Sequence, residues 1–227
     1  MTPLVLIPGL GSDEAIWRPV IEQLADIASC QVAETRLDDS MARIAARILT
    51  AAPSRFALAG ISMGGYIALE IMRQAPERVT RLALFDTSAR PDTPEQTAGR
   101  HAAIAALDKA PLEVLGRHSL PTLVAPHASQ AAKDAVVAMG VRVGREAYTR
   151  QQQANISRSD SRPHLAAMAV ATMVAVGEQD TLTPPALARE LAVGIPGATL
   201  HIIPGSGHLP PIEKPEATAA LLKAWLQ

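Results

Sequence analysis

A serine in a glycine-rich turn is the residue of this chain best suited to covalent chemistry. Residues 56–66 read F-A-L-A-G-I-S-M-G-G-Y, in which an apolar run leads into G-x-S-x-G centred on Ser62 and then into an apolar helix pattern. In a strand-turn-helix of this kind the hydroxyl stands clear of the sheet, and Gly60 and Gly64 leave room where the chain reverses. We therefore predict that Ser62 is a nucleophile for acyl transfer. The alternative is a glycine-rich turn with an incidental serine.

Two backbone N–H groups are candidates for binding the negative charge that such an attack creates. Met63 opens the helix after Ser62, where N–H groups have no intrahelical acceptor. Pro8-Gly9-Leu10-Gly11 closes the first apolar run, and a glycine-rich turn after an early strand can add a second N–H, here that of Leu10. The two together predict an oxyanion hole. A tight turn without a chemical role is the alternative for residues 8–11.

A histidine on a loop at the same edge of the sheet must take the proton of the serine. His208 lies in a Gly- and Pro-rich loop directly after the last predicted strand, which can bring its ring to Ser62. The other five histidines fall in a predicted helical region or inside a strand, and are interpreted as surface or core residues: His101, His118, His127, His164 and His201. His208 is therefore the predicted general base.

A carboxylate must then orient the imidazole and stabilise its charged form. Asp180 follows the penultimate predicted strand and Asp86 follows an earlier one, so both are candidates. We prefer Asp180 because its strand neighbours the one that precedes His208, and because the chain order Ser, Asp, His is a known arrangement of such triads. Asp86 is the alternative acid, and a helix-capping role is the alternative for Asp180.

Apolar strand patterns alternate with amphipathic helix patterns through both ends of the chain. The predicted strands are residues 4–7, 31–34, 56–61, 79–86, 172–176 and 198–203. This alternation predicts an α/β fold with a mostly parallel sheet of about six strands flanked by helices. Between residues 89 and 169 only alanine-rich helical segments occur, separated by prolines and Gly140. We predict a helical lid insertion there, between core parts 1–88 and 170–227.

Two further features bear on substrate binding. Residues 141–163 contain five arginines against two acidic residues, a net charge of five minus two, or +3. Arg142 and Arg145 are accordingly predicted to contact an anionic substrate or partner, with a solvated helix face as the alternative. Trp17, on the apolar face of the first predicted helix, is expected in the core or at the floor of a substrate pocket.

Composition excludes several classes of protein. The 227 residues suffice for one domain with an insertion, and a net charge of -1 argues against a general nucleic-acid-binding surface. The first residues have neither a basic n-region nor an apolar run long enough for a signal peptide or membrane span. The single cysteine, Cys30, cannot form an internal disulfide, so a reducing cytoplasm is predicted. The scattered histidines and the absence of a P-loop or paired C-x-x-C predict no metal and no cofactor.

These motifs resemble those of the α/β-hydrolase family over most of the core. Ser62 in G-I-S-M-G-G matches the nucleophile turn, Asp180 in V-G-E-Q-D the acid loop, and His208 in G-S-G-H-L-P the base loop. Residues 6–11 are similar to the family's H-G-x-G loop, with Pro8 in place of the usual histidine. The resemblance implies Leu10 and Met63 as oxyanion donors, and a chain that starts at the third family strand without the N-terminal antiparallel hairpin.

Within this family the chain is most similar to small lidded esterases related to the pimeloyl-carrier-protein methyl esterase and the proline iminopeptidase group. The resemblance implies a cytoplasmic serine carboxylesterase for short to medium acyl chains, monomeric or homodimeric, without nucleic-acid or membrane partners. The methyl esterase docks an acidic carrier protein on lid arginines, which makes such a carrier the alternative substrate partner. A C–C bond hydrolase, lyase or perhydrolase using the same triad is a further alternative, and a small-molecule binding module is the non-enzymatic one.

Overall fold

The computed structural model describes residues 1–227 and contains one sheet of six parallel strands. The strands are β1 (Thr2–Ile7), β2 (Ala28–Val32), β3 (Phe56–Ile61), β4 (Val79–Phe85), β5 (Ala171–Gly177) and β6 (Thr199–Ile203). Their order across the sheet is β2-β1-β3-β4-β5-β6, so β3 and β4 lie at the centre. The predicted six-stranded parallel sheet is confirmed. Because all strands run the same way, the loops after β3, β5 and β6 meet at one edge.

The second strand begins three residues earlier than predicted. The sequence pattern predicts it at residues 31–34, but β2 covers Ala28–Val32 and pairs with β1 from Thr2 opposite Ala28 to Leu6 opposite Val32. It is an edge strand, and only Ala28 is buried within it. A strand with one exposed edge and little buried surface has a weak apolar pattern, which explains the error in its position.

Helices cover both faces of the sheet. Outside the region between β4 and β5 they are α1 (Arg18–Leu24), α2 (Met41–Ala51), α3 (Met63–Gln74), α7 (Pro185–Gly194), α8 (Pro210–Glu213) and α9 (Pro215–Leu226). Side chains of alternate direction along each strand feed two separate cores: in β1, Val5 and Ile7 pack on the side of α2 and α3, whereas Leu4 and Leu6 pack on the side of α1 and α9. The central strands are therefore buried on both faces, as continuous apolar runs predict.

Three α-helices, a short 3-10 helix (Arg162–Ala167) and no strand occupy the chain between β4 and β5. The α-helices are α4 (Pro94–Ala106), α5 (Leu112–Leu123) and α6 (Gln130–Ile156). Helix α6 is broken at Gly144, whose φ of 79° and ψ of 164° are accessible almost only to glycine. A Cβ at Gly144 would meet no atom within 4 Å, so the backbone conformation and not crowding requires glycine there. No helix of the structure combines the length and apolarity needed to cross a bilayer.

Candidate active site

Ser62 lies in a strained turn between β3 and α3. Its φ of 54° and ψ of -118° fall outside the usual regions for a residue with a side chain, and two hydrogen bonds hold it there. Its N–H donates to the carbonyl of Phe85 at 3.0 Å, and the Thr87 hydroxyl donates to the Ser62 carbonyl at 2.9 Å. The strand, the turn and the helix thus present the Ser62 hydroxyl at the carboxyl edge of the sheet, where the sequence predicts it.

The glycines on either side of Ser62 are required by close packing. A Cβ at Gly60 would lie 2.2 Å from the carbonyl oxygen of Gly64, and a Cβ at Gly64 would lie 2.3 Å from the carbonyl oxygen of Ile7. Both distances are far inside van der Waals contact with backbone, which cannot move aside as a side chain can. The predicted steric reason for G-x-S-x-G in this chain is confirmed.

The structure brings together three side chains that are far apart in the sequence. The Ser62 hydroxyl donates to His208 Nε2 over 2.8 Å, and His208 Nδ1 donates to Asp180 Oδ2 over 2.8 Å. Asp180 and His208 are each only 3% exposed, while Ser62 is partly exposed. A hydroxyl, an imidazole and a carboxylate in this order form the arrangement that activates a serine nucleophile.

Asp180 is held as an ionised carboxylate. Burial by itself raises its pKa, but the hydrogen bond and charge of His208 and two hydrogen bonds from Thr183 outweigh burial and lower the pKa to about 2. The Thr183 hydroxyl donates to Oδ2 at 2.6 Å, and the N–H groups of Leu182 and Thr183 donate to Oδ1 at 2.8 and 3.1 Å. Thr183 thus binds Asp180 through both its hydroxyl and its N–H, and Pro184 is the residue that precedes α7. Asp180 can therefore orient His208 at any pH compatible with catalysis.

Asp86, the alternative acid, lies in the same cluster without a hydrogen bond to His208. The donor and acceptor atoms of Asp86, Asp180 and His208 lie within 4.8 Å of one another, and Asp86 is fully buried. Its Oδ1 accepts the N–H of Gly177 at 2.8 Å, whereas its Oδ2 has no partner. Burial, and then the charge of Asp180, raise the pKa of Asp86 well above its usual range. The raised pKa favours the protonated form of Asp86 beside the ionised Asp180.

The neutral state of Asp86 predicts a pH-dependent stability. The folded protein holds a proton on Asp86 that the unfolded chain releases above a pKa of about 4, so this residue makes stability fall as pH rises from there to the raised pKa. Asp86→Asn keeps a neutral group that can still accept the Gly177 N–H. We expect the stability of the variant relative to the parent to rise with pH above about 4, by up to about 1.4 kcal/mol per pH unit, until the raised pKa of Asp86 is reached.

Urea unfolding of both proteins at pH 5, 6, 7 and 8 measures this difference directly. Other groups titrate equally in the two proteins, so their contributions cancel in the comparison. A difference in unfolding free energy that is constant with pH would show that Asp86 ionises alike in the folded and unfolded states, and would contradict the prediction.

Glu213 holds the loop that carries His208, a role that sequence reasoning missed. Its carboxylate accepts N–H groups from Gly207 at 3.1 Å, Leu209 at 3.0 Å and Ala125 at 2.7 Å. The first two lie on either side of His208, and the third lies just after α5. The only sequence signal for this role is a carboxylate five residues after the base, at the end of the short helix α8.

Of the two predicted oxyanion donors, Met63 follows Ser62 directly, and Leu10 follows Gly9, which packs against Ser62. Met63 is the first residue of α3, so its N–H has no intrahelical acceptor, and the N–H of Leu10 donates to no other group of the chain. Gly9, which precedes Leu10, is so close to Ser62 that a Cβ there would lie 3.3 Å from the Ser62 Cβ. The loop after β1 therefore faces the serine, as an oxyanion hole formed with Met63 requires.

Trp17 is fully buried and packs edge-on against Phe85 at a ring distance of 5.8 Å, which favours the core position over the pocket floor.

The arginines of the insertion bond to other residues of the chain. Arg142 forms a bidentate pair with Asp13, and Arg145 pairs with Asp108. The other arginines of residues 141–163 also have partners within the chain: Arg150, Arg158 and Arg162. Four of the five arginines pair with a carboxylate, whereas Arg150 donates to the carbonyl of Arg36, so most of the positive charge is neutralised within the chain.

Asp86, Asp180 and His208 are also the one cluster of side chains in the structure with the composition of a metal site. Their arrangement does not favour this use. The atoms that would face an ion include His208 Nδ1 and Asp180 Oδ2, which are already hydrogen bonded to each other. The other carboxylate is Asp86, whose raised pKa opposes the deprotonated state that a metal ligand needs.

Comparison with known proteins places this chain in one family and identifies similar proteins and structures. The model of the family described as "Alpha/beta hydrolase family" matches residues 4–221. The chain is 28% identical to a protein of Variovorax paradoxus provisionally named carbamate hydrolase RutD, over 90% of this chain and 84% of that protein. It is 28% identical to a pimeloyl-[acyl-carrier protein] methyl ester esterase of Edwardsiella ictaluri, over 96% and 91%. Among solved structures, a thermophilic esterase from Thermogutta terrifontis superposes with a TM-score of 0.90 at 26% identity, over 100% and 89%.

Proposed function

The chain belongs to the α/β-hydrolase family, and from that premise we propose that it is a serine carboxylesterase acting through an acyl-enzyme on Ser62. The observation that carries the proposal is the continuous hydrogen-bonded chain from the Ser62 hydroxyl through His208 to Asp180, with 2.8 Å at each step. No other part of the structure places a nucleophile, a base and an ionised acid in this order. The site therefore serves attack on an acyl carbon.

The proposed reaction moves one proton back and forth on His208. As the Ser62 Oγ attacks the ester carbonyl, its proton passes to Nε2, and the imidazolium is stabilised by Asp180 at Nδ1. His208 returns that proton to the departing alkoxide, which leaves Ser62 acylated. A water molecule then attacks the acyl-enzyme and gives its proton to Nε2, and the acid product is released as Ser62 is reformed.

The N–H groups of Leu10 and Met63 are proposed to bind the oxyanion of both tetrahedral intermediates. Each is free of an acceptor within the chain, and both lie next to the attacking serine. Removal of one donor from such a site typically costs about 3 kcal/mol in the barrier. The position of the loop after β1 should therefore matter for the rate nearly as much as the triad.

The relatives support a substrate with a carbonyl carbon that can be attacked, but they differ in the group attached to that carbon. Their names specify a methyl ester in one case and a carbamate in the other. Both reactions begin with attack on a carbonyl carbon, and the Ser62 hydroxyl bonded to His208 is suited to make that attack. We propose carboxylic esters of short to medium acyl chains, because the insertion is rich in alanine and poor in aromatic residues. Docking of an acidic carrier protein and a cytoplasmic location stay predictions, as does the choice between monomer and homodimer.

A substrate panel combined with active-site labelling tests the proposal. Purified protein is expected to hydrolyse p-nitrophenyl acetate and butyrate, with lower kcat/KM on the dodecanoate. A fluorophosphonate should label one residue, and peptide mass spectrometry should locate it at Ser62. Absence of both labelling and ester hydrolysis would rule out the esterase and leave the binding-module alternative, since an inert pocket does not react with the probe.

The same panel separates the alternative activities that use this triad. An aryl carbamate, a vinylogous C–C bond substrate, and peracid formation from acetate and hydrogen peroxide are each measured beside the esters. Labelling of Ser62 together with a kcat/KM on the carbamate at least a hundredfold above that on the best ester would replace the esterase proposal by a carbamate hydrolase.

A further inference from the structure

The loop between β1 and α1 has no support from the side chain that usually holds it. Pro8 stands where the resemblance places a histidine, and proline has neither a polar side chain nor an N–H group. Pro8, Ser12, Asp13 and Thr35 line a cleft of about 90 Å³, so this side of the loop is not packed into either core. Some other contact must therefore fix the position of residues 9–11 beside Ser62.

Gln151 of helix α6 makes that contact from a distant part of the chain. Its Oε1 accepts the N–H of Gly11 at 2.9 Å, and its Nε2 donates to the hydroxyl of Thr35 at 3.1 Å. The side chain is fully buried, so both halves of the amide depend on these partners. One amide thus joins the insertion to the loops that follow β1 and β2.

The hydrogen bond to the Gly11 N–H fixes the orientation of one peptide group in this loop. Residues 9–12 form a turn in which the Ser12 N–H donates to the Gly9 carbonyl at 3.2 Å, with Gly11 in the third position at a φ of 66°. These are the features of a type II turn, which differs from type I mainly by reversal of the central peptide. Here the central peptide joins Leu10 to Gly11. A hydrogen bond to its N–H therefore selects one of the two orientations.

A second contact ties the same loop to the other half of α6. Arg142 bonds Asp13 at 2.6 and 3.0 Å, and it precedes the break at Gly144, whereas Gln151 follows it. The ring of Tyr148 lies 3.6 Å from where a Cβ of Gly11 would be, between these two contacts. The loop that presents the Leu10 N–H is thus held on both sides of the break in α6.

We propose that Gln151 is a positioning residue for the oxyanion-binding loop: by holding the Leu10–Gly11 peptide it restrains Leu10 from one side, and with it the position of the Leu10 N–H in the preceding peptide. This inference rests on the proposed function for its effect on rate. It places a polar residue of the insertion in control of transition-state binding, and it gives the insertion a role in the chemical step besides covering the site.

The consequence is a loss in kcat that leaves KM nearly unchanged. Gln151→Leu removes both hydrogen bonds at similar volume, and we expect kcat for p-nitrophenyl butyrate to fall by about ten- to a hundredfold, because small displacements of catalytic groups cost this much. Gln151→Glu keeps an acceptor for the Gly11 N–H and should recover most of the loss. Equal kcat in Gln151→Leu and the parent would overturn the inference.

Gln152 offers a matched control on the same helix. It is also buried, but it makes no hydrogen bond to the loop after β1: it bonds Arg100 and the hydroxyl of Tyr148, so that it reaches the loop only through the packing of the Tyr148 ring. Gln152→Leu should lower thermal stability about as much as Gln151→Leu and leave kcat within about twofold of the parent. A loss of kcat as large in Gln152→Leu would mean that both act only through the general stability of the insertion, and would overturn the positioning role.

Amide hydrogen exchange separates failure of this inference from failure of the proposed function. Exchange of the Gly11 N–H should be at least about tenfold faster in Gln151→Leu than in the parent and in Gln152→Leu, whether or not esters are substrates. Faster exchange without any esterase activity in the parent would reject the proposed function and keep the positioning contact. Unchanged exchange in an active enzyme would reject Gln151 alone.

Discussion

Replacing Ser62 with alanine is expected to lower kcat for p-nitrophenyl esters by on the order of a millionfold. The variant loses the atom that forms the acyl-enzyme, while His208, Asp180 and the two backbone N–H groups keep their places. What remains is rate enhancement by oxyanion binding with water as the nucleophile, typically a factor of about a thousand over the uncatalysed reaction. Stopped-flow and long-time assays of the parent and of Ser62→Ala measure the ratio.

The control for this prediction is the thermal stability of Ser62→Ala, which should stay close to that of the parent. Ser62 makes its structural hydrogen bonds through its backbone, to Phe85 and from Thr87, and these survive in alanine. The strained φ of 54° is equally unfavourable for either residue, so the melting temperature should change by only a few degrees. An alanine variant that is stable and as active as the parent would place the chemistry on another residue and end the esterase proposal.

The parts of this fold that the sequence predicts are those that depend on local chemistry. Central strands buried on both faces require continuous apolar runs, and such runs predict Phe56–Ile61 and Val79–Phe85 to within one residue. The turn at Ser62 requires glycines wherever backbone meets backbone. His208 and Asp180 are predictable because loops after adjacent parallel strands must lie close together. Each of these inferences needs only neighbouring residues and the rules of parallel sheets.

The contacts that sequence reasoning missed join residues far apart in the chain. Gln151 lies 140 residues from Gly11, and a glutamine on a helix has the same local pattern whether it faces solvent or a buried N–H. The predicted net charge of residues 141–163 counts only the arginines and acidic residues within that segment. The acids that pair with Arg142 and Arg145 are Asp13 and Asp108, which lie outside it. A count of charges within one segment of sequence therefore omits the acidic partners that the fold brings from other segments.

Asp180→Asn is expected to lower kcat by on the order of ten-thousandfold, whereas Asp86→Asn should change it by less than about tenfold. The amide introduced by Asp180→Asn would present an N–H to His208 Nδ1 in place of an acceptor, so the ring would keep its proton on Nε2, facing the serine. The base would then be in the wrong tautomer. Asp86 has a raised pKa and accepts the N–H of Gly177 without a hydrogen bond to the ring, so a neutral asparagine there should change the rate little.

The pH dependence of Asp180→Asn and of the Asp180→Asn/Asp86→Asn double variant tests whether Asp86 can act as the acid. In Asp180→Asn the neighbouring charge that helps to raise the pKa of Asp86 is gone, so Asp86 ionises at lower pH than in the parent. Residual activity that rises with pH in Asp180→Asn and disappears in the Asp180→Asn/Asp86→Asn double variant would show that Asp86 substitutes for Asp180. We expect equal residual rates in the single and double variants, because His208 Nδ1 is hydrogen bonded to Asp180 and Thr183 and not to Asp86. A larger loss in Asp86→Asn than in Asp180→Asn would transfer the role of the acid to Asp86.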